Sequence, residues 1–170
     1  MEKPVAIIAL GANLGNRETT LRQALSQLET AGIRVLAVSD FIETEPVGYT
    51  NQPNFLNGSA ALEVPAGLSP EALLDRLLAT EKALGRERPF PNAPRTCDLD
   101  LLCFENETRA TPQLSLPHPR WQERAFVLIP LADLFEKAQA GAQPWVTRSP
   151  WNSIRQKAVG LFQRIANSKP

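Results

Sequence analysis

The chain has 170 residues, 43% of them hydrophobic, enough for one domain with a proper core over residues 1–170. Lys plus Arg equals Asp plus Glu at 18 each, which argues against the broad basic face that nucleic-acid binding needs. No apolar run approaches the length of a membrane span, and Met1-Glu2-Lys3-Pro4-Val5 opens nothing like a signal peptide. A cytoplasmic monomer is therefore expected. The two cysteines, Cys97 and Cys103, would lie roughly 20 Å apart on one strand, beyond disulfide reach. They read as small core hydrophobes of a reducing compartment.

Val5 to Leu10 is a continuous apolar run of strand length. Gly11 to Asn16 turns it into a helix, with Asn16 or Asn13 as the N-cap, and no Lys-Ser or Lys-Thr follows to make a phosphate loop. Leu21, Ala24, Leu25 and Leu28 form a helical stripe that Gly32 ends. Ile33 to Ile42 reads as one long strand, Glu43 to Pro53 as an irregular loop, and Phe55 to Val64 as its antiparallel partner. On that last strand Phe55, Asn57, Ser59 and Ala61 share a face.

Ser69-Pro70-Glu71 starts a second helix. Leu74, Leu77 and Leu78 are its expected buried stripe, and Glu81 falls next on it, either at an exposed end or aimed into a site. A polar, proline-stiffened loop from Arg86 to Arg95 leads to Cys97-Asp98-Leu99-Asp100-Leu101-Leu102-Cys103-Phe104, a mostly buried strand. The order β-α-β-β-α-β is the split pattern of an α+β, ferredoxin-like core with an antiparallel sheet. Glu123 to Phe135 contains a helix interrupted at Pro130, and Trp151 to Ala166 carries a C-terminal one. These additions would cover the second face of the sheet.

Asp98 and Asp100 point the same way on their strand, with Cα atoms roughly 7 Å apart. Two like charges so close on a half-buried surface repel unless a cation lies between them. Magnesium suits the pair, since it takes oxygen ligands and leaves positions open for phosphates. Arg86, Arg88, Arg95 and Arg124 are suited to bind polyphosphate, because each guanidinium stays charged and donates two parallel bonds. His118 is the only histidine. Arg109 reads as a solvated surface charge. Paired carboxylates with several arginines describe phosphoryl transfer without a phosphate loop. A ligand-sensing domain has no use for such a pair, and a nucleotide-sugar transferase would need a larger α/β domain.

Pro94-Arg95-Thr96-Cys97-Asp98-Leu99-Asp100-Leu101-Leu102 resembles the signature of the 6-hydroxymethyl-7,8-dihydropterin pyrophosphokinases of folate biosynthesis. Leu10 to Gly15, Phe55-Leu56-Asn57, Leu84-Gly85-Arg86, Leu116-Pro117-His118 and Glu123 to Phe126 match further blocks in order, so the resemblance covers roughly Ala6 to Leu131. It implies an ATP-dependent diphosphotransferase acting on ATP and the pterin, with two magnesium ions held by Asp98 and Asp100. Arg86 and Arg95 would act with the aspartates in catalysis, and Glu81, Arg88, Leu101, Ser115, His118 and Arg124 would bind ATP. Thr44, Glu45, Pro46, Val47, Phe55, Asn57, Asp98 and Phe126 would bind the pterin between the rings of Phe55 and Phe126. The chain departs from the family pattern at Pro91, Asn92, Gln113 and Pro119, and its segment after Gly141 shows no resemblance.

Overall fold

The apolar run near the start becomes the central strand, β1 (Val5–Ala12). It pairs antiparallel with β4 (Phe55–Glu63) on one side and β5 (Asp98–Phe104) on the other. A strand covered on both faces has no need of polar alternation, and β1 is buried almost throughout. β2 (Arg34–Val38) and β3 (Ile42–Thr44) lie along the outer edge of β4, giving the order β2-β4-β1-β5 with β3 also on β4. This computed structural model describes residues 3–46, 50–85 and 97–168. The sheet order is the split arrangement expected: α1 (Arg17–Thr30) leads from β1 to β2, and β4 fits between them.

Asn16 caps α1 by accepting the Thr19 N–H at 3.2 Å, and the Leu21, Ala24, Leu25, Leu28 stripe is buried as the spacing predicts. Ser69 caps α2 (Pro70–Ala83) by accepting the Ala72 N–H at 3.1 Å. These two helices cover one sheet face over Ile8, Leu10, Leu62, Leu99 and Leu101. On the other face, α3 (Ala125–Ala140) and α4 (Trp151–Ser168) pack over Ile7, Ala61 and Leu102. Trp145 joins that core, its ring centroid 5.8 Å from Phe135 and 5.7 Å from Trp151. Helices therefore lie on both faces, as expected.

Three expectations need correction. The strand read from Ile33 to Ile42 is broken at Ser39-Asp40-Phe41. A register shift between Val35 and Ala37 has already upset its alternation, so Val35 and Val38 pack on one core while Leu36 and Ala37 pack on the other. The buried stripe of α2 is Leu73, Leu77, Thr80 and Glu81, and Leu78 is 45% exposed. Pro130 does not interrupt α3: it is buried, and Leu128, Leu131, Leu134 and Phe135 bury enough apolar surface around it to offset the missing N–H.

The turn-rich stretch after Phe104 holds a small hairpin, β6 (Arg109–Ala110) with β7 (Ser115–Leu116). Cys97 and Cys103 are buried and form no disulfide with each other, and burial pushes the Cys103 thiol up to about 12. Among the described residues no helix is long and apolar enough to cross a membrane.

Candidate active site

β5 is the terminal strand of its sheet, and alternation sets Asp98 and Asp100 on the face opposite the buried Leu99 and Leu101. Register with β1 puts Asp98 across from Gly11 and Asp100 across from Ala9, so the facing positions on that strand carry at most a methyl group. The two half-buried acids form a ridge. Both line a cavity of about 330 Å³ on one side and one of about 590 Å³ on the other. A third hollow of about 550 Å³, between β3, α3 and α4, shares no residue with these two.

The smaller cavity is walled by α2 through Leu74, Leu78 and Glu81, and by the hairpin segment Thr111 to Ser115. Leu101 and His118 complete it. Glu81 is only 2% exposed, and its Oε2 accepts the Leu99 N–H at 2.9 Å. It is thus buried in the site's floor, bonded to the residue between the two aspartates. His118 arrives by another route. A register shift between Ile7 and Ile8 leaves Leu102 as an extra residue in β5, and its carbonyl accepts the His118 N–H at 2.8 Å. Burial, then the charges of Arg124 and Arg120, hold the His118 imidazole below its ordinary pKa of 6.5, so it is neutral at pH 7. Its Nδ1 accepts the Arg120 N–H at 3.3 Å, which leaves Nε2 as the ring donor.

The wider cavity has an aromatic and polar lining. Phe55, Asn57 and Gly11 form its floor, with Thr44 and Glu45 at one wall. Arg124 and Phe126, where α3 begins, form the other, the Arg124 guanidinium lying 5.6 Å from the centroid of the Phe126 ring. Asn57 is 7% exposed, and its amide donates to the Thr44 hydroxyl. A side chain at position 11 would meet Asn57 Oδ1 at 3.0 Å, so glycine is what lets the amide lie over the strand. The loop before Phe55 is held by the turn after β1. Asn13 Nδ2 donates to Gln52 Oε1 at 2.6 Å and to the Pro53 carbonyl at 3.0 Å, while Arg17 donates to the Asn54 carbonyl at 2.9 Å and pairs with Glu43 at 2.6 Å.

The expected residues therefore divide between the cavities. Glu81, Leu101, Ser115 and His118 line the smaller one, and Thr44, Glu45, Phe55, Asn57 and Phe126 the wider. Arg124, expected beside the nucleotide, lines the wider cavity. Pro46 is half-buried and lines neither. Val47, Arg86, Arg88 and Arg95 lie outside the described residues. The sequence reading missed Gly11 and Ala9 under the aspartates, Leu78 and Thr111 in the smaller cavity, and Arg120 and Glu123 in the wider. For Gly11 the signal was present: a glycine closing an apolar strand marks a close approach.

An antiparallel α+β sheet with an acidic ridge between two cavities defines the class: a ferredoxin-like domain with two hollows that share one strand. Comparison with known proteins makes that specific. The profile of the 7,8-dihydro-6-hydroxymethylpterin-pyrophosphokinase (HPPK) family matches residues 7–136, and the chain belongs to that family. It is 47% identical over 139 residues to the 2-amino-4-hydroxy-6-hydroxymethyldihydropteridine pyrophosphokinase of Bacillus subtilis, covering 81% of this chain and 82% of that one. The protein of the same name from Pseudomonas aeruginosa is 44% identical over 128 residues, with 75% and 78% covered. A folate synthesis bifunctional protein of Arabidopsis thaliana is 39% identical over 157 residues, which are 92% of this chain and 27% of that protein. Among solved structures, an HPPK-DHPS in complex with substrates superposes with a TM-score of 0.56 at 12% identity, over 78% of this chain and 40% of that one. That similarity speaks for the fold.

Proposed function

We infer that the chain is a pyrophosphokinase of folate biosynthesis, transferring the terminal pyrophosphoryl unit of ATP to the hydroxymethyl group of the dihydropterin and releasing AMP. The observation that carries this reading is that Asp98 and Asp100 line both cavities at once. One pair of carboxylates then faces the phosphate chain of a nucleotide in the smaller cavity and the hydroxyl of a pterin in the wider one. The β-phosphorus gains a bond to the pterin oxygen, the bond to the AMP oxygen breaks, and the hydroxyl proton leaves. Such a reaction asks chiefly for in-line placement and charge neutralisation.

The donor set suits magnesium, for two oxygen anions on one face leave its remaining positions to phosphate and water. Asp98 and Asp100 would hold it, as two ions in this reading, and the metal when bound offsets the triphosphate charge. Phe55 and Phe126 stack on the flat pterin, and Asn57, aligned by Thr44, reads its polar edge. Glu45, Pro46 and Val47 border it. Arg86, Arg88 and Arg95 bind the phosphates in the same reading, with neutral His118 beside them and Arg124 on the pterin side of the aspartates. Leu101 and Ser115 contact the nucleotide. A cytoplasmic monomer of one domain completes the proposal, and light scattering tests its oligomeric part.

The direct test is AMP release from ATP, with and without 6-hydroxymethyl-7,8-dihydropterin, in magnesium. Release is expected only with the pterin present. Asp98→Ala and Asp100→Ala are each expected to remove turnover by at least about a thousandfold while the folded spectrum is kept. Turnover retained in either purified variant would defeat the reading.

A further inference from the structure

Arg109 is not the solvated charge that its sequence context suggests. Its Nε donates to Glu71 Oε2 at 2.6 Å, and a terminal nitrogen donates to Glu71 Oε1 at 3.3 Å, a two-point fork on one carboxylate. The other terminal nitrogen donates to Glu107 Oε2 at 2.9 Å and to the Thr108 carbonyl at 2.8 Å. The bond to Arg109 holds the Glu71 carboxyl below its usual range, and Glu71 followed by Glu107 raises the guanidinium.

The fork spans the smaller cavity's two walls. Glu71 stands in the first turn of α2 and shares a helical stripe with Leu74, Leu78 and Glu81, the residues by which that helix lines the cavity. Arg109 begins the hairpin whose tip, Thr111 to Leu114, forms the opposite wall together with Ser115. That hairpin has only two residue pairs, Arg109 with Leu116 and Ala110 with Ser115, and so short a ladder cannot fix its own position. Leu114 and Leu116 anchor it from beneath by burial. Across the gap to α2, Arg109 supplies the ionic tie.

We propose that the Arg109–Glu71 pair staples the hairpin to α2 and so sets the width of the nucleotide cavity, which makes Arg109 a positioning residue for ATP. The proposal rests on the reading of the smaller cavity as the nucleotide side. Neither side chain needs to touch the nucleotide for this, because both act through the walls they join.

The test compares the unaltered protein with Arg109→Gln, Glu71→Gln and the double variant. Binding of α,β-methylene-ATP with magnesium and of 6-hydroxymethylpterin is measured by calorimetry, alongside steady-state kinetics. Each single variant is expected to weaken nucleotide binding roughly three- to tenfold and to raise the KM for ATP with kcat kept. The double variant should be no worse than the more affected single one, since a staple is lost once. Pterin affinity should be unchanged, which a general loosening of the fold would not allow. Nucleotide binding equal to the unaltered protein's, or an equal loss for both ligands, would overturn the staple alone. If the unaltered protein took up no nucleotide, the functional reading would fall and the staple with it.

Discussion

His118 shows how one residue's surroundings translate into a measurable pH dependence. Burial comes first among the causes that depress its pKa, and Arg124 and Arg120 add to it, so the folded protein protonates the ring less readily than the unfolded chain does. As pH falls through 6.5, the unfolded chain takes up the proton first, and stability declines towards the lower folded pKa. His118→Gln carries no such proton. Urea unfolding followed from about pH 7 down to about pH 5 should show the unaltered protein losing stability relative to this variant. Parallel curves would mean the ring is not held neutral. Gly11 makes a separate prediction at this scale: Gly11→Ala would press on the Asn57 amide oxygen, Oδ1, 3.0 Å from the new carbon. It should weaken pterin binding with little change for the nucleotide, and fluorescence titration of the pterin reads this directly.

At the scale of elements, β3 owes its position to a missing side chain. A Cβ at Gly58 would clash with a ring carbon of Phe41, in the segment that links β2 to β3. Gly58→Ala should therefore shift Phe41 and cost about 1–3 kcal/mol in chemical denaturation. This also explains what the sequence disclosed and what it withheld. The α1 stripe, the Ser69 cap and the shared face of Asp98 and Asp100 were legible because each depends on spacing within one element. The break after Val38, the extra residue at Leu102 and the partner of Arg109 were not, because each is decided by a neighbour distant along the chain. Leu78 was misassigned for a related reason, while Leu74 packs partly buried against the core. Periodicity marks an apolar stripe, but it does not say whether that stripe meets the core or a cavity wall. The division of site residues between two cavities likewise required the sheet order.

Taken whole, the molecule joins stability and chemistry through α3. Its first turn supplies Phe126 to the wider cavity, while Phe135, further along, is fully buried against Trp145. Phe135→Ala should lower unfolding stability by about 3–5 kcal/mol. A loss below about 1 kcal/mol in urea titration would show that the cavity relaxes instead of persisting.

The ridge also has an evolutionary side. In the proposed reading one pair of acids serves both binding partners, so selection cannot adjust affinity for either substrate there without disturbing the other. Escape from a pterin-mimicking drug would have to accumulate at the periphery, around Phe126 or Thr44, where a change is felt by one partner alone.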